Sequence, residues 1–169
     1  MNKAVFLDRD GVINVDKNYV YRKEDFELKD SIVELLQYLT RQNFKLFVVT
    51  NQSGIGRGYY SAEDFLTLTE YMIHLFEGHG VKFEEVYYCP ETPEDEFTCR
   101  KPNPFMVNLA IEKYDLNRES SWLIGDKESD IKAANNAGIF NTVKVLGKEA
   151  SGSETHIVKE LHEIKALIK

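Results

Sequence analysis

Four short strand-like runs in this chain stop at polar clusters that carry reactive chemistry, and that arrangement leaves few folds open. Lys3-Ala4-Val5-Phe6-Leu7 runs into Asp8-Arg9-Asp10-Gly11, and Phe44 to Val49 runs into Thr50-Asn51-Gln52-Ser53-Gly54. Phe83 to Tyr88 leads to a loop that finishes in Arg100-Lys101-Pro102, and Ser121 to Ile124 ends in Gly125-Asp126 with Asp130 four residues on. Apolar runs of this length read as strands buried on both faces, as in a parallel sheet. Sheets of that kind bind ligands outside the carboxyl ends of their strands. Four loaded strand ends should therefore share one address.

The segments between the runs read as helices. Ile32, Leu35, Leu36 and Leu39 recur at i, i+3, i+4 and i+7 behind a candidate cap at Asp30-Ser31. Ser61 with Asp64 three residues later opens a helix carrying Phe65, Leu68, Met72, Leu75 and Phe76, and Gly80 closes it. Asn103-Pro104 places a cap and a first-turn proline on a third helix, with Val107, Ala110, Ile111 and Tyr114 apolar. A short helix over 130–137 ends at Gly138, and a fifth strand covers 140–146. A Gly/Ser-rich turn at 151–153 then leads to a last helix with Ile157, Leu161, Ile164 and Ile168 inward. Val12 to Phe26 has no period and reads as a flap over the first strand end. The expectation is an α/β fold, a Rossmann-like three-layer sandwich around a central parallel sheet, in one domain spanning 1–169.

Composition narrows the partners. At 169 residues, 43% hydrophobic and 29% charged, the chain has the make-up of an ordinary globular protein. No run approaches the ~18 apolar residues of a membrane span. The chain enters a strand at once, so no signal peptide is expected. Two cysteines, Cys89 and Cys99, are too few for a disulfide scaffold, and a cytoplasmic location with free thiols is the default. A net charge of −7 opposes a surface that tracks nucleic acid. It does not oppose a small anionic substrate, because a metal and a few cations can reverse the field in one pocket.

The converging residues suit transfer of a phosphoryl group to a carboxylate. Like charges repel there, so a cation must screen the pair. Asp8 is placed as nucleophile, and Asp8, Asp10 and Asp126 as the group that would hold Mg²⁺, with Asp10 also as the proton shuttle. Thr50 and Lys101 can take the phosphate oxygens as charge builds, with Asp130 and Lys127 in support. Singly, each has a plainer explanation. Thr50 could end a strand, Lys101 could be a solvated loop lysine, and Asp130 could be a first-turn acid favoured by the helix dipole. Their common address makes the functional account preferable.

At these residues the chain resembles the haloacid dehalogenase superfamily of phosphatases. The motifs are D-R-D-G-V-I at 8–13, V-V-T-N-Q-S-G-I-G-R-G at 48–58, C-R-K-P at 99–102 and G-D-K-E-S-D at 125–130. The resemblance implies Mg²⁺-dependent hydrolysis through an aspartyl-phosphate on Asp8. It is nearest to the subfamily of heptose-bisphosphate and histidinol-phosphate phosphatases, with Asn18-Tyr19-Val20 and Gly56-Arg57-Gly58-Tyr59-Tyr60 adding to the match. That implies a small phosphorylated sugar as substrate; the alternatives are histidinol phosphate, a polynucleotide 3′-phosphate, or a receiver-like signalling module. A monomer is expected. Relatives of this type carry a zinc loop C-x-H…C-x-C before R-K-P. Only Cys89 and Cys99 remain here, with Glu91 in the histidine position and Phe97 in place of the penultimate cysteine, so zinc is not expected. The connections after strands one and two are too short for a large cap domain, which assigns substrate choice to Asn51, Gln52, Ser53, Arg57, Arg100 and Tyr19.

Overall fold

The computed structural model describes residues 1–96, 98–146 and 152–169. Phe97, which stands in the lost zinc pattern, and Ser151 at the start of the expected Gly/Ser turn lie outside the described residues.

Six parallel strands form one sheet in the order β3-β2-β1-β4-β5-β6. They are β1 (Ala4–Leu7), β2 (Lys45–Asn51), β3 (Phe83–Cys89), β4 (Trp122–Gly125), β5 (Asn141–Val145) and β6 (His156–Val158). β1 lies between β2 and β4, with Leu7 opposite Val48 on one side and Ile124 on the other. The chain builds outward from β1 in one direction and then returns to build in the other. The strand order therefore reverses beside β1, and the crevice that such a reversal opens lies at the end that carries Asp8.

Strand periodicity divides the core in two. Val5 and Leu7 face a cluster with Leu46, Val48, Ile124 and Val143 against α1 (Ile32–Arg41) and the buried Met72 and Phe76 of α3 (Ala62–Glu77). Ala4 and Phe6 face the other cluster, with Phe47, Val49 and Leu123 against α4 (Phe105–Tyr114) and α5 (Glu128–Asn136). Burial on both faces explains why β1, β4 and the middle of β2 read as apolar runs. A short helix not expected from sequence, α2 (Ser53–Gly56), follows β2.

Helix ends follow local chemistry, with some departures. Ser61 and Asp64 form the expected capping box, each side chain bonding the other's backbone N–H at 3.0 Å. α3 stops at Glu77 with Gly78 at its end, and Gly80 follows at φ +75°. At α1 the expected cap fails: Ser31 sits in the left-handed region (φ +68°) and its hydroxyl makes no capping bond. At α4 the helix starts one residue late: Pro104 has no N–H, and the Asn103 side-chain Oδ1 accepts from Phe105 N at 3.0 Å. α5 starts at Glu128, before the expected Asp130.

The expected last helix is wrong in its first half. His156–Val158 adds a sixth strand to β5, with Lys144 opposite Ile157, and only Leu161–Ala166 winds into a 3₁₀ turn. The β-branched pair Ile157-Val158 meets an open sheet edge, and ladder bonding there outweighs helical spacing. Ile157 is consequently exposed, whereas Leu161, Ile164 and Ile168 still turn inward.

Candidate active site

Asp8 leaves β1 at the strand-order reversal, and its amide still bonds Ile124 O of β4 at 3.1 Å. The side chain is buried and its Oδ1 accepts from Lys101 Nζ at 3.0 Å. Lys101 Nζ also bonds Val49 O at 2.7 Å and pairs with Asp130 Oδ1 at 2.5 Å. The other Asp130 oxygen caps α5, accepting from the Asp126 and Lys127 amides at 3.2 and 3.1 Å. Side chains from three distant stretches of the chain thus meet: Asp8, Lys101, and the Asp126–Asp130 pair.

Two glycines make that meeting possible. Gly11 has φ +91°, and a Cβ there would stand 2.1 Å from Asp126 Oδ2. A Cβ on Gly125 would stand 2.4 Å from Asp130 Cβ. Neither position leaves room for a side chain.

Charge accumulates at the cluster. Burial first, then the nearby Asp130, drives the Asp8 carboxyl well above the usual carboxylate range. The same two causes push Asp126 up to about 6. Burial pulls the Lys101 ammonium down, but Asp130 and Asp8 outweigh it and leave the lysine raised. Lys127, exposed at the rim, is likewise raised by Asp8 and Asp126 against its desolvation.

These residues fit a hard divalent cation. Carboxylate oxygens of Asp8, Asp126 and Asp130 lie within 4.8 Å of one another, and the buried Asp126 Oδ1 has no hydrogen-bond partner among the described residues. Asp130 is committed to Lys101 and the α5 amides, which leaves Asp8 and Asp126 to hold the ion. Asp10 departs from expectation, since its carboxylate is outside that cluster. It accepts instead from Arg9 Nη2 and Asn14 Nδ2, each at 3.0 Å, and from Gln52 Nε2 at 3.2 Å.

The expected substrate residues divide into two groups. Tyr19, Asn51, Gln52, Ser53 and Arg100 line, together with Asp10 and Lys127, a cleft of about 230 Å³. Asn51 and Gln52, however, have their amides engaged by the protein. Asn51 clasps the Lys101 backbone, accepting its N–H at 3.0 Å and donating to its carbonyl at 3.3 Å. Gln52 Nε2 donates to Thr50 Oγ1 at 2.9 Å as well as to Asp10, and its Oε1 accepts from the Tyr60 hydroxyl. Both position other residues. Ser53 and Tyr19 remain open to the cleft, and Arg100 enters it while donating to Glu91 O at 3.3 Å. Arg57 is exposed and outside the lining, although after burial its charge is the next cause lowering the Arg100 pKa. Thr50 is buried at the end of β2 and joins the site through Gln52.

Arg9, Asn14 and Tyr60 escaped sequence reasoning. Arg9 sits inside the first motif and Tyr60 follows the glycine-arginine segment, but neither letter says where its side chain points. Burial pushes the Tyr60 hydroxyl up to about 12, which keeps it a donor.

The two cysteines also depart from expectation. Cys89 and Cys99 are joined as a disulfide between the end of β3 and the residue preceding Arg100. Glu91 Oε1 lies 3.1 Å from Cys99 Sγ.

Comparison with known proteins gives a consistent result. The haloacid dehalogenase-like hydrolase family matches residues 11–144. The D-glycero-beta-D-manno-heptose-1,7-bisphosphate 7-phosphatase of Helicobacter pylori is 43% identical over 170 residues, covering 99% of this chain and 98% of its own. The D-glycero-alpha-D-manno-heptose-1,7-bisphosphate 7-phosphatase of Campylobacter jejuni is 44% identical, covering 99% and 96%. The crystal structure of the D,D-heptose 1,7-bisphosphate phosphatase from B. bronchiseptica, complexed with magnesium and phosphate, superposes with a TM-score of 0.88 at 25% identity, covering 98% and 97%.

Proposed function

Because the chain belongs to the haloacid dehalogenase-like hydrolase family, we propose that it is a Mg²⁺-dependent phosphatase that removes the 7-phosphate of D-glycero-D-manno-heptose 1,7-bisphosphate. Residues 1–169 act as one monomeric domain on a small sugar phosphate in the cytoplasm. The observation that carries the reading is Asp8, buried at the strand-order reversal with Lys101 Nζ at 3.0 Å and Asp126 and Asp130 beside it.

An Asp8 carboxylate oxygen forms a bond to phosphorus while the bond to the sugar oxygen breaks. The leaving alkoxide takes a proton from Asp10. Water then attacks phosphorus, gives its proton to Asp10, and releases inorganic phosphate with Asp8 restored. Lys101, braced through Asn51, and Thr50, braced through Gln52, stand against the oxygens on which charge develops. When bound by Asp8 and Asp126, Mg²⁺ supplies positive charge that screens the phosphate dianion from the nucleophile. Arg100, in the cleft wall, is placed for the second phosphate, and the flap around Tyr19 for the sugar.

Phosphate release from heptose bisphosphate, histidinol phosphate and a 3′-phosphorylated oligonucleotide, each with and without Mg²⁺, tests the reading. Heptose bisphosphate should turn over fastest, only with Mg²⁺, and Asp8→Asn should abolish turnover in a protein that still melts cooperatively. Substantial turnover by Asp8→Asn would refute the covalent route, and faster turnover of either other substrate would refute the assignment.

A further inference from the structure

Arg9 is the largest fully buried side chain, 1% exposed, yet its guanidinium is poorly matched to its surroundings. Nε and Nη1 have no hydrogen-bond partner among the described residues, and the group packs 5.6 Å from the Phe65 ring. All of its recorded hydrogen bonds come from Nη2. They run to Val20 O at 2.6 Å and to Asp10 Oδ1 and Oδ2 at 3.0 and 3.2 Å. Burying a charge with two of its nitrogens unpaired opposes folding, and the ion pair with Asp10 offsets that cost only in part. Stability alone is therefore a weak reason for the residue. Its bonds give a stronger one: one nitrogen joins the flap backbone to the Asp10 carboxylate.

Two further contacts converge on the same carboxylate. Asn14 Nδ2 donates to Asp10 Oδ1 at 3.0 Å, and Gln52 Nε2 donates to Asp10 Oδ2 at 3.2 Å. Gln52 is itself fixed, since its Oε1 accepts from Tyr60 OH. Tyr60 in turn stacks on Tyr21 of the flap, with ring centroids 5.0 Å apart and planes within 8°. The flap thus reaches Asp10 by two routes, Val20 O through Arg9 and Tyr21 through Tyr60 and Gln52.

We infer that Arg9, Asn14 and the Tyr60–Gln52 pair form a clamp that orients the Asp10 carboxylate for proton transfer and ties that orientation to the position of the flap. These are positioning residues; none of them is assigned contact with the reacting atoms. The inference rests on the phosphatase reading and deepens it, by naming what sets the proton shuttle. Proton transfer by an oriented side chain contributes ~10²–10⁴-fold, and a loosened clamp forfeits part of that factor. The forfeit falls on leaving groups that need a proton and spares those that do not.

The test is leaving-group release in a single turnover, with Mg²⁺ present, from the sugar bisphosphate and from p-nitrophenyl phosphate. In Arg9→Met the rate on the sugar phosphate should fall by about 10–100-fold, part of the factor general acid catalysis supplies. Release of nitrophenolate should change by less than ~3-fold, because that anion leaves without protonation. The melting midpoint should fall, because removing Arg9 strands its ion-pair partner Asp10; the split between the two substrates, which lost stability alone would not produce, carries the test. Asn14→Ala should show the same split. Tyr60→Phe, which removes a single hydroxyl, should show a smaller one and carries the test if the other two fail to fold. Equal losses on both substrates in a folded variant, or no loss on either, would overturn the clamp. Turnover by Asp8→Asn would instead defeat the phosphatase reading beneath it, so the two failures are distinguishable.

Discussion

Removing Lys101 exposes what the buried carboxylates cost. The Nζ lies 3.0 Å from Asp8 Oδ1, 2.5 Å from Asp130 Oδ1 and 2.7 Å from Val49 O, and both Lys101 and Asp130 are essentially out of solvent. Lys101→Met keeps most of the volume and deletes the charge. Deleting one partner of a buried ion pair typically costs about 3–5 kcal/mol, because the other charge is stranded. In a chain of this size each 1 kcal/mol moves the melting midpoint by about 2–4 °C, so the fall should be roughly 6–20 °C at neutral pH.

The pH dependence distinguishes this account from simple loss of packing. Burial and mutual repulsion already hold Asp8 and Asp126 above their unfolded values, Asp126 at about 6. An acid whose folded pKa is raised stabilises the fold at low pH, and that contribution disappears as pH rises through the folded value. Lys101 opposes the loss, together with Lys127 at the rim. Without Lys101 the carboxyls hold their protons to still higher pH. The deficit of Lys101→Met should thus be greatest at pH 7–8 and shrink toward pH 4–5, where Asp8 and Asp126 are protonated. Thermal melts followed by circular dichroism in EDTA, wild type against variant across that range, measure it. A deficit equal at pH 5 and pH 8, or below ~1 kcal/mol at pH 8, would refute the reasoning.

Gly11→Ala should lose Mg²⁺ affinity and ~1–2 kcal/mol of stability, from left-handed strain and a Cβ placed 2.1 Å from Asp126 Oδ2; metal titration and melting check it. Ser61→Ala should cost about 1 kcal/mol by removing the α3 capping box, seen in urea unfolding, with turnover unchanged. Arg100→Ala should raise KM for a sugar bisphosphate about 10-fold or more while altering KM for a monophosphate little, as loss of a charge-assisted contact to the second phosphate requires.

Much of this was legible in the letters because burial on both faces leaves a strong mark. β1, β2 and β4 read as apolar runs, and their ends carry Asp8, Thr50 and Asp126 to one edge of the sheet. β6 did not read true. Three residues bonded to one neighbour leave too short a pattern to compete with the i, i+3, i+4 spacing that Ile157, Leu161, Ile164 and Ile168 happen to share. The amides were harder still. Asn51 and Gln52 stand in a motif beside the phosphate site, and the natural reading hands them substrate. Their hydrogen bonds go instead to the Lys101 backbone, Thr50, Asp10 and Tyr60. A sequence reveals that a polar group stands near a site; it does not reveal which partner satisfies it, because an amide offers donors and an acceptor to whatever the fold brings close. The disulfide had the same obscurity, since the spacing of Cys89 and Cys99 permits pairing without requiring it.

Charge at the Asp8 cluster has a consequence for what the site can accept. Asp130 spends one oxygen on Lys101 and the other on two backbone amides, so its negative charge is answered locally. Asp8 shares the same lysine, and Asp126 keeps a buried oxygen with no partner among the described residues. One buried ammonium thus faces three carboxylates. A phosphate dianion approaching that group alone would be repelled, whatever the fit of its oxygens. Burial first, and then the neighbouring Asp130, raises Asp8 and Asp126 toward protonation, which also disarms Asp8, since a protonated carboxyl is a poor nucleophile. A divalent cation between Asp8 and Asp126 removes both obstacles together, lowering their pKa values and screening the incoming anion. The charges in the pocket by themselves call for a divalent cation.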